Sequence, residues 1–445
     1  MSAIRERLGR FDALVLTSLL WFLGKFLRYA FPPLFETLAT EYRVSTAVLG
    51  TAFTGFMLVY AAMQFPSGLL ADRYGSAAVI ATGGLLAAGG ALVVAVDAPL
   101  VVLVAAMLCM GAGTGAHKTV AVRLLSRVYP ARTGRALGAF DTFGTFGGVA
   151  APAAVVVFAG LPGVVGASWR TTFLLGGLLG VALVAGFVAR VPQRLRAVAA
   201  ESADSGADSG ADSGADSGAE DGPAAERGSG SGSGSGSGDR SGSGDRSENR
   251  GDVMAYVHLF REWRFATFVL VTVLFSFAYN GTVAFLPLYL ARETGLADAT
   301  ASLLYSLLFV VSLVQLVTGE ASDRAGTLPV IVGTLALATA GLLAALVAPA
   351  GTGPLVLGGA VVLLGLGAHG YRPVRGAYLM AIVPESVAGG GLGAVRTLLM
   401  GAGALAPAVV GTLSETAGLR VAFGLLAAAL VGATGLATAL WLVDR

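Results

Sequence analysis

Twelve long apolar runs, six on either side of a polar interval, constrain this chain more than any other feature. They fall near 13–38, 46–70, 77–96, 99–127, 136–160 and 169–189, then near 266–291, 298–319, 327–348, 353–381, 388–413 and 418–443. About 20 apolar residues suffice to cross the hydrocarbon core of a bilayer as a helix, and most of these runs are longer. Inside lipid a segment satisfies its own backbone hydrogen bonds, which leaves the helix as the default. Composition agrees: charged residues are 13% and hydrophobic residues 55%, with a mean hydropathy of +0.76, whereas a soluble domain carries roughly 25% charge. The expected fold class is an all-α membrane protein with 12 transmembrane helices. Arg5, Arg7 and Arg10 precede a first run too long and too charged for a signal h-region, so that run is expected to be retained as the first helix.

The chain also contains itself twice. Gly68-Leu-Leu-Ala-Asp72-Arg73-Tyr-Gly75 follows the second run, and Gly319-Glu-Ala-Ser-Asp323-Arg324-Ala-Gly326 follows the eighth, 251 positions later. Ala30-Phe31-Pro32-Pro33-Leu34 parallels Ala284-Phe285-Leu286-Pro287-Leu288. Gly113-x-Gly115-x-His117 parallels Gly365-x-Gly367-x-His369, and Leu137-Gly138-Ala139 with Pro152 parallels Leu392-Gly393-Ala394 with Pro407. The offsets drift only from 251 to 255. Two pseudo-symmetric six-helix bundles are therefore expected, over 1–192 and 253–445, joined by a linker over 193–252.

Charge is divided between these parts. Residues 197–252 hold 12 acids and 4 arginines, while the remainder holds 15 acids and 25 bases. The acidic segment contains four Ala-Asp-Ser-Gly units from Ala203 and a Ser-Gly tract around 228–238. It has almost no apolar surface to bury, so a flexible solvated tether is expected there. Arginine placement sets the orientation. With the N-terminus inside, the cytoplasmic flanks carry Arg73, Arg127, Arg132, Arg135, Arg190, Arg194, Arg196, Arg261, Arg264 and Arg324 besides the three N-terminal arginines. The opposite side carries only Arg43, Arg170, Arg292 and Arg420. The positive-inside rule thus places both termini in the cytoplasm of a cell-membrane protein. The single cysteine, Cys109, allows no internal disulfide.

Six plus six helices, a long middle loop and Gly-x-x-x-Asp-Arg-x-Gly after helices 2 and 8 resemble the major facilitator superfamily. The resemblance covers both six-helix bodies; the motif departs at Ser76 and Ala77, where that family usually has basic residues. It implies a solute site near the midplane between the bundles, with access alternating as they rock. Helices 1, 4, 7 and 10 would line that cavity.

A charge at the centre of a membrane helix costs about 2.5–3.5 kcal/mol. Lys25, Arg28, Lys118, Asp141, Arg372 and Arg396 all lie at least one turn inside their runs, so together they would cost on the order of 15–20 kcal/mol if exposed to lipid. They are expected to face a wet cavity or one another. Lys25 and Lys118 are the only two lysines in the chain. Trp21, Lys25, Arg28 and Pro32 share one helical face by their spacing, and His369, Arg372 and Arg375 recur every third position. With His117 and Lys118 at matching depth, these groups suit an anionic solute held by charge-assisted hydrogen bonds. The competing reading pairs them with carboxylates or carbonyls. Tyr279, Asn280 and Gln315 are uncharged candidates for orienting a solute. The two histidines also suit ancestral packing, since they match under the repeat; His258 precedes helix 7.

The gating candidates are Gly68, Asp72, Arg73, Gly75, Asp141, Gly319, Asp323, Arg324, Gly326 and Arg396. Two latches are expected to close the cytoplasmic side in the outward-open state, Asp72 with Arg396 and Asp141 with Arg324. Asp141 also suits a proton carrier or a static helix–helix pair. Gly111-Ala-Gly113-Thr-Gly115-Ala-His117-Lys118-Thr119 superficially resembles a phosphate-binding loop, but His117 stands where that motif needs glycine. The glycine–proline pattern of drug antiporters is poorly matched, because Pro152 comes late. The expectation is a monomeric secondary transporter of a small anionic solute, coupled to H+ or another ion, within a lipid bilayer. No cofactor, metal, nucleic acid or enzymatic activity is expected. A multidrug or hydrophobic-compound exporter and, from another class, a non-transporting membrane sensor are the alternatives.

Overall fold

A computed structural model describes residues 11–164, 166–211, 260–383 and 388–444, all helix and connecting turn with no strand among them. The twelve spans are α1 Asp12–Tyr42, α2 Thr46–Tyr74, α3 Ser76–Val94, α4 Leu100–Val128, α5 Thr133–Ala159, α6 Arg170–Ala211, α7 Trp263–Thr294, α8 Asp298–Ala325, α9 Thr327–Val347, α10 Pro354–Ile382, α11 Ala388–Thr416 and α12 Leu419–Val443. Each expected run is therefore a helix. Two are interrupted: α1 tightens into a 3-10 turn at Pro32–Leu34, where proline cannot continue the ladder, and α8 does so at Val311–Leu313. Gly75 and Gly326 end α2 and α8 at φ 88° in both cases, a backbone that a side chain would strain. The repeated loop motif is thus a repeated helix stop.

One expectation changes. Residues 193–211 of the linker, expected as coil, continue α6 as helix to Ala211. A formed transmembrane helix removes the nucleation cost, and Leu195, Arg196, Ala197, Ala199 and Ala200 propagate it well, which offsets the poorer propensity of Gly206 and Gly210 farther on. The rest of the linker, 212–252, lies outside the described residues, as do Arg5, Arg7, Arg10 and His258.

The packing has the symmetry of the sequence. In the first half α1 lies on α5 and α6, α4 on α2 and α3, and α3 on α6; α7 through α12 repeat each of these neighbours. The halves meet along two seams, α2 with α11 and α5 with α8. Lipid offers no hydrophobic drive between helices, so close backbone approach holds them together. A Cβ on Gly111 would sit 2.5 Å from the Phe56 carbonyl of α2, and one on Gly113 would sit 2.3 Å from the Gly83 carbonyl of α3. In α10 the same two roles fall to Gly365, 3.0 Å from the Leu308 carbonyl of α8, and Gly367, 2.4 Å from the Thr334 carbonyl of α9.

This register corrects the sequence match by two residues: Gly111 corresponds to Gly365 and Gly113 to Gly367. His117 is then equivalent to Tyr371 rather than His369, and Lys118 is equivalent to Arg372. The side chains agree. His117 Nε2 is 3.1 Å from the Thr17 carbonyl and its ring stacks on Trp21, while the Tyr371 hydroxyl is 3.2 Å from Thr272 Oγ1 and its ring packs on Phe275. Gly-x-Gly-x-His recurs in the text because glycine is needed every second position to face two neighbouring helices in turn. The phosphate-loop look-alike has the same cause, since it lies within the continuous helix α4.

Candidate functional site

Between the bundles lies a cavity of about 500 Å³ lined by α1, α4, α5, α8 and α10. Lys25, Lys118, Arg372 and Arg375 reach its wall, with Asp141, Thr142, Thr145, Ser312 and Gln315. On the face away from the chain termini it is shut. There Phe35 packs edge-on against Phe285 at 5.1 Å, Arg292 Nε donates to Glu36 Oε2 at 2.7 Å, and Thr46 and Ser414 share a 2.9 Å hydrogen bond. Toward the terminus face it is open: the Asp141 side chain is 63% exposed and Leu316, on the facing helix, 74%.

The electrostatics are one-sided. Lys118 pairs with Asp141, the one acid among the lining residues. Lys25 lies over the rings of Trp21 and Tyr29, at 5.3 and 5.6 Å, and Arg372 over Tyr279 at 4.4 Å. An aromatic face attracts a cation without neutralising it. Such contacts position Lys25 and Arg372 while leaving their charge available to a solute. Gly144 explains how Trp21 fits under these groups, because a Cβ there would lie 2.1 Å from the indole ring.

Of the eight solute-binding candidates, Lys25, Lys118 and Arg372 come together on the cavity wall. Tyr279 supports Arg372 from beneath. Arg28 turns away to the bundle interface, where Nη2 donates to Asn280 Oδ1 at 3.2 Å and lies against Met57. His117 and His369 are both buried; His369 packs against Tyr279 and Phe309. Sequence reading did not single out Thr142, Thr145 and Ser312. Their spacing from Asp141 and Gln315, at one to four positions, is the signal that places them there.

The gating candidates are placed as follows. Asp72 pairs with Arg123 of α4, and Arg73 lies over Tyr74. Arg324 pairs with Glu320 one turn back, and Asp323 is exposed. Arg396 Nη2 donates to Gln64 Oε1 of α2 at 2.6 Å. Neither expected latch is formed in this arrangement, which is open on the terminus face. Space is clear around Gly68 and Gly319.

Two pseudo-symmetric six-helix bundles around a polar cavity, closed at one face and open at the other, have the architecture of an alternating-access carrier. The sequence model of the Major Facilitator Superfamily matches residues 15–361 and 268–445, and the chain belongs to that family. It is a multi-pass membrane transporter of a small-molecule solute rather than an enzyme. Its fold is similar to a bacterial homologue of the lysosomal transporter Spinster in an inward-facing conformation, with a TM-score of 0.71, 17% identity and 98% of each chain covered. It is also similar to the nucleoside transporter NupG, with a TM-score of 0.67, 14% identity, and 97% of this chain and 99% of that one covered. A peptide transporter, POT, in complex with alafosfalin gives a TM-score of 0.67 at 18% identity, covering 96% of this chain and 93% of that one. Among curated proteins, "Probable sulfoacetate transporter SauU" of Cupriavidus necator is 30% identical over 138 residues, 31% of each chain.

Proposed function

We propose that this protein is a secondary transporter of a small organic anion, with both termini in the cytoplasm and the open face of the cavity toward it. The observation that carries this reading is the imbalance of the cavity wall: Lys25, Lys118, Arg372 and Arg375 against the single carboxylate of Asp141. Four cations around one low-dielectric space repel each other unless an anion enters, and arginine and lysine both bind carboxylate or sulfonate through charge-assisted hydrogen bonds. The partial relative named for sulfoacetate supports an anionic solute. The nucleoside and peptide transporters share only the fold.

The test is a solute panel in proteoliposomes under imposed pH and voltage gradients. Organic anions are expected to be taken up by the wild type, with Lys25→Ala and Arg372→Ala each slowing uptake at least about tenfold, as when a buried charge pair loses one partner. Normal transport by both variants would sink the cationic-site reading. Coupling is assigned to Asp141, the one lining acid. Asp141→Asn should abolish accumulation driven by a pH gradient while leaving solute exchange at equilibrium; loss of both would mean a structural pair with Lys118.

A further inference from the structure

Resting on the anion reading above, we infer that the solute carries two anionic groups and bridges the bundles, one end at Lys25 of α1 and the other at Arg372 of α10.

The cations are divided between opposite walls. Lys25 and Lys118 belong to the first bundle, Arg372 and Arg375 to the second. The corrected packing register makes the division symmetric, since Lys118 and Arg372 are equivalent positions. Asp141 neutralises Lys118 alone, and both are in the first bundle. Lys25 and Arg372 are each seated on aromatic rings, with no ion pair on either among the described residues. Lys25 on the first wall, and Arg372 with Arg375 on the second, are therefore without an ion-pair partner among the described residues.

The protein itself does not bridge that gap with charge. Among the described residues the one ion pair joining the bundles is Glu36 with Arg292, at the closed face. At the cavity the bundles touch without an ion pair: Arg28 donates to the neutral Asn280 amide, and Tyr29 meets Phe309. Two like-charged walls repel across the cavity and oppose its closure. A solute with a single anionic end reaches one wall and leaves the other with no counter-charge. A dianion such as a short dicarboxylate or sulfocarboxylate places one anionic group at Lys25 and one at Arg372 and Arg375, and supplies the cross-bundle link that closure needs. A cavity of about 500 Å³ holds a solute of that size with its water.

The decisive measurement uses purified full-length wild type in detergent, titrated with paired ligands and followed by thermal shift. The pairs are succinate with succinamate and sulfoacetate with methanesulfonate, each differing by one anionic end. The two-ended member is expected to bind at least about tenfold more tightly in each pair, a gap of about 1.4 kcal/mol. Lys25→Met and Arg372→Met should each narrow that ratio to about twofold or less, because each leaves one anchor. Equal binding within each pair in the wild type would overturn the dianion and leave the anion reading standing. A ratio kept intact in both variants would likewise overturn the two-anchor geometry. Stabilisation by none of the four anions, with a neutral or cationic solute stabilising instead, would overturn the anion reading itself. The wild-type comparison decides the matter even if a variant fails to fold.

Discussion

The two seams between the bundles are related by the internal repeat, yet they are built differently. Along α2 and α11 contact runs nearly the full length. A Cβ on Gly50 would sit 2.3 Å from the Pro407 carbonyl, and one on Gly411 would sit 2.7 Å from the Thr46 carbonyl. The Ala408 N–H donates to Thr54 Oγ1 at 2.9 Å, and farther toward the terminus face Arg396 donates to Gln64. Along α5 and α8 the close approach is at Gly148, beneath the Phe309 ring, and beyond it the helices become cavity wall. Backbone meets backbone in one seam, and a side chain meets backbone in the other. Partners change at less cost where a side chain meets backbone, as along α5–α8, than where backbone meets backbone, and the 3-10 turn at Val311–Leu313 beside the cavity is a place for α8 to bend.

The largest effect is expected from overpacking the tight seam. Gly50→Leu should destabilise by about 3 kcal/mol or more, since carbonyl oxygen cannot step aside. Gly148→Leu should cost about 1 kcal/mol less, because the Phe309 ring can rotate. Thermal unfolding of both variants in one detergent checks the order, and the reverse order would break the comparison. Next is Arg396→Glu, which removes the Gln64 bond and sets a second negative charge toward Asp72. If Asp72 and Arg396 latch the terminus face in the other state, transport should fall about tenfold, as for a lost buried charge partner. Labelling of an engineered cysteine at Thr142 on the cavity wall should rise as well; unchanged transport and labelling would exclude the latch. Gln64→Ala isolates the hydrogen bond alone and should cost about 1.5 kcal/mol, as expected for a bond to a charged group. The smallest effect belongs to Glu36→Gln at the closed face. That pair is half exposed, at 39% and 46%, so about 0.2–1 kcal/mol is expected. The loss should shrink at high salt, because exposed pairs are screened; an effect insensitive to salt would show that Glu36 acts by packing.

The helices were legible in the sequence because lipid leaves an apolar run one way to satisfy its backbone. The paired loops were legible because a helix stop needs glycine at Gly75 and Gly326. The cations of the site could be listed for a related reason: a charge within a run cannot face lipid, so Lys25, Lys118 and Arg372 stood out. What could not be read was which of them face the cavity. Arg28 lies three positions from Lys25 on the same helix, yet it turns to Asn280 of the other bundle, a partner 252 residues away. The histidines matched in the text and are both buried in helix packing, since similarity of spelling does not tell which neighbour a residue meets.

The sequence by itself determined the membrane, the helix count, the duplication and the set of charges that had to be sheltered. These follow from local chemistry repeated along one segment. The tertiary structure decided the two-residue register of α4 against α10, the pairing of Lys118 with Asp141, the unequal seams and the face that is open. Each of those depends on the distance between backbones far apart in the chain, and close packing of glycines on carbonyl oxygens sets that distance.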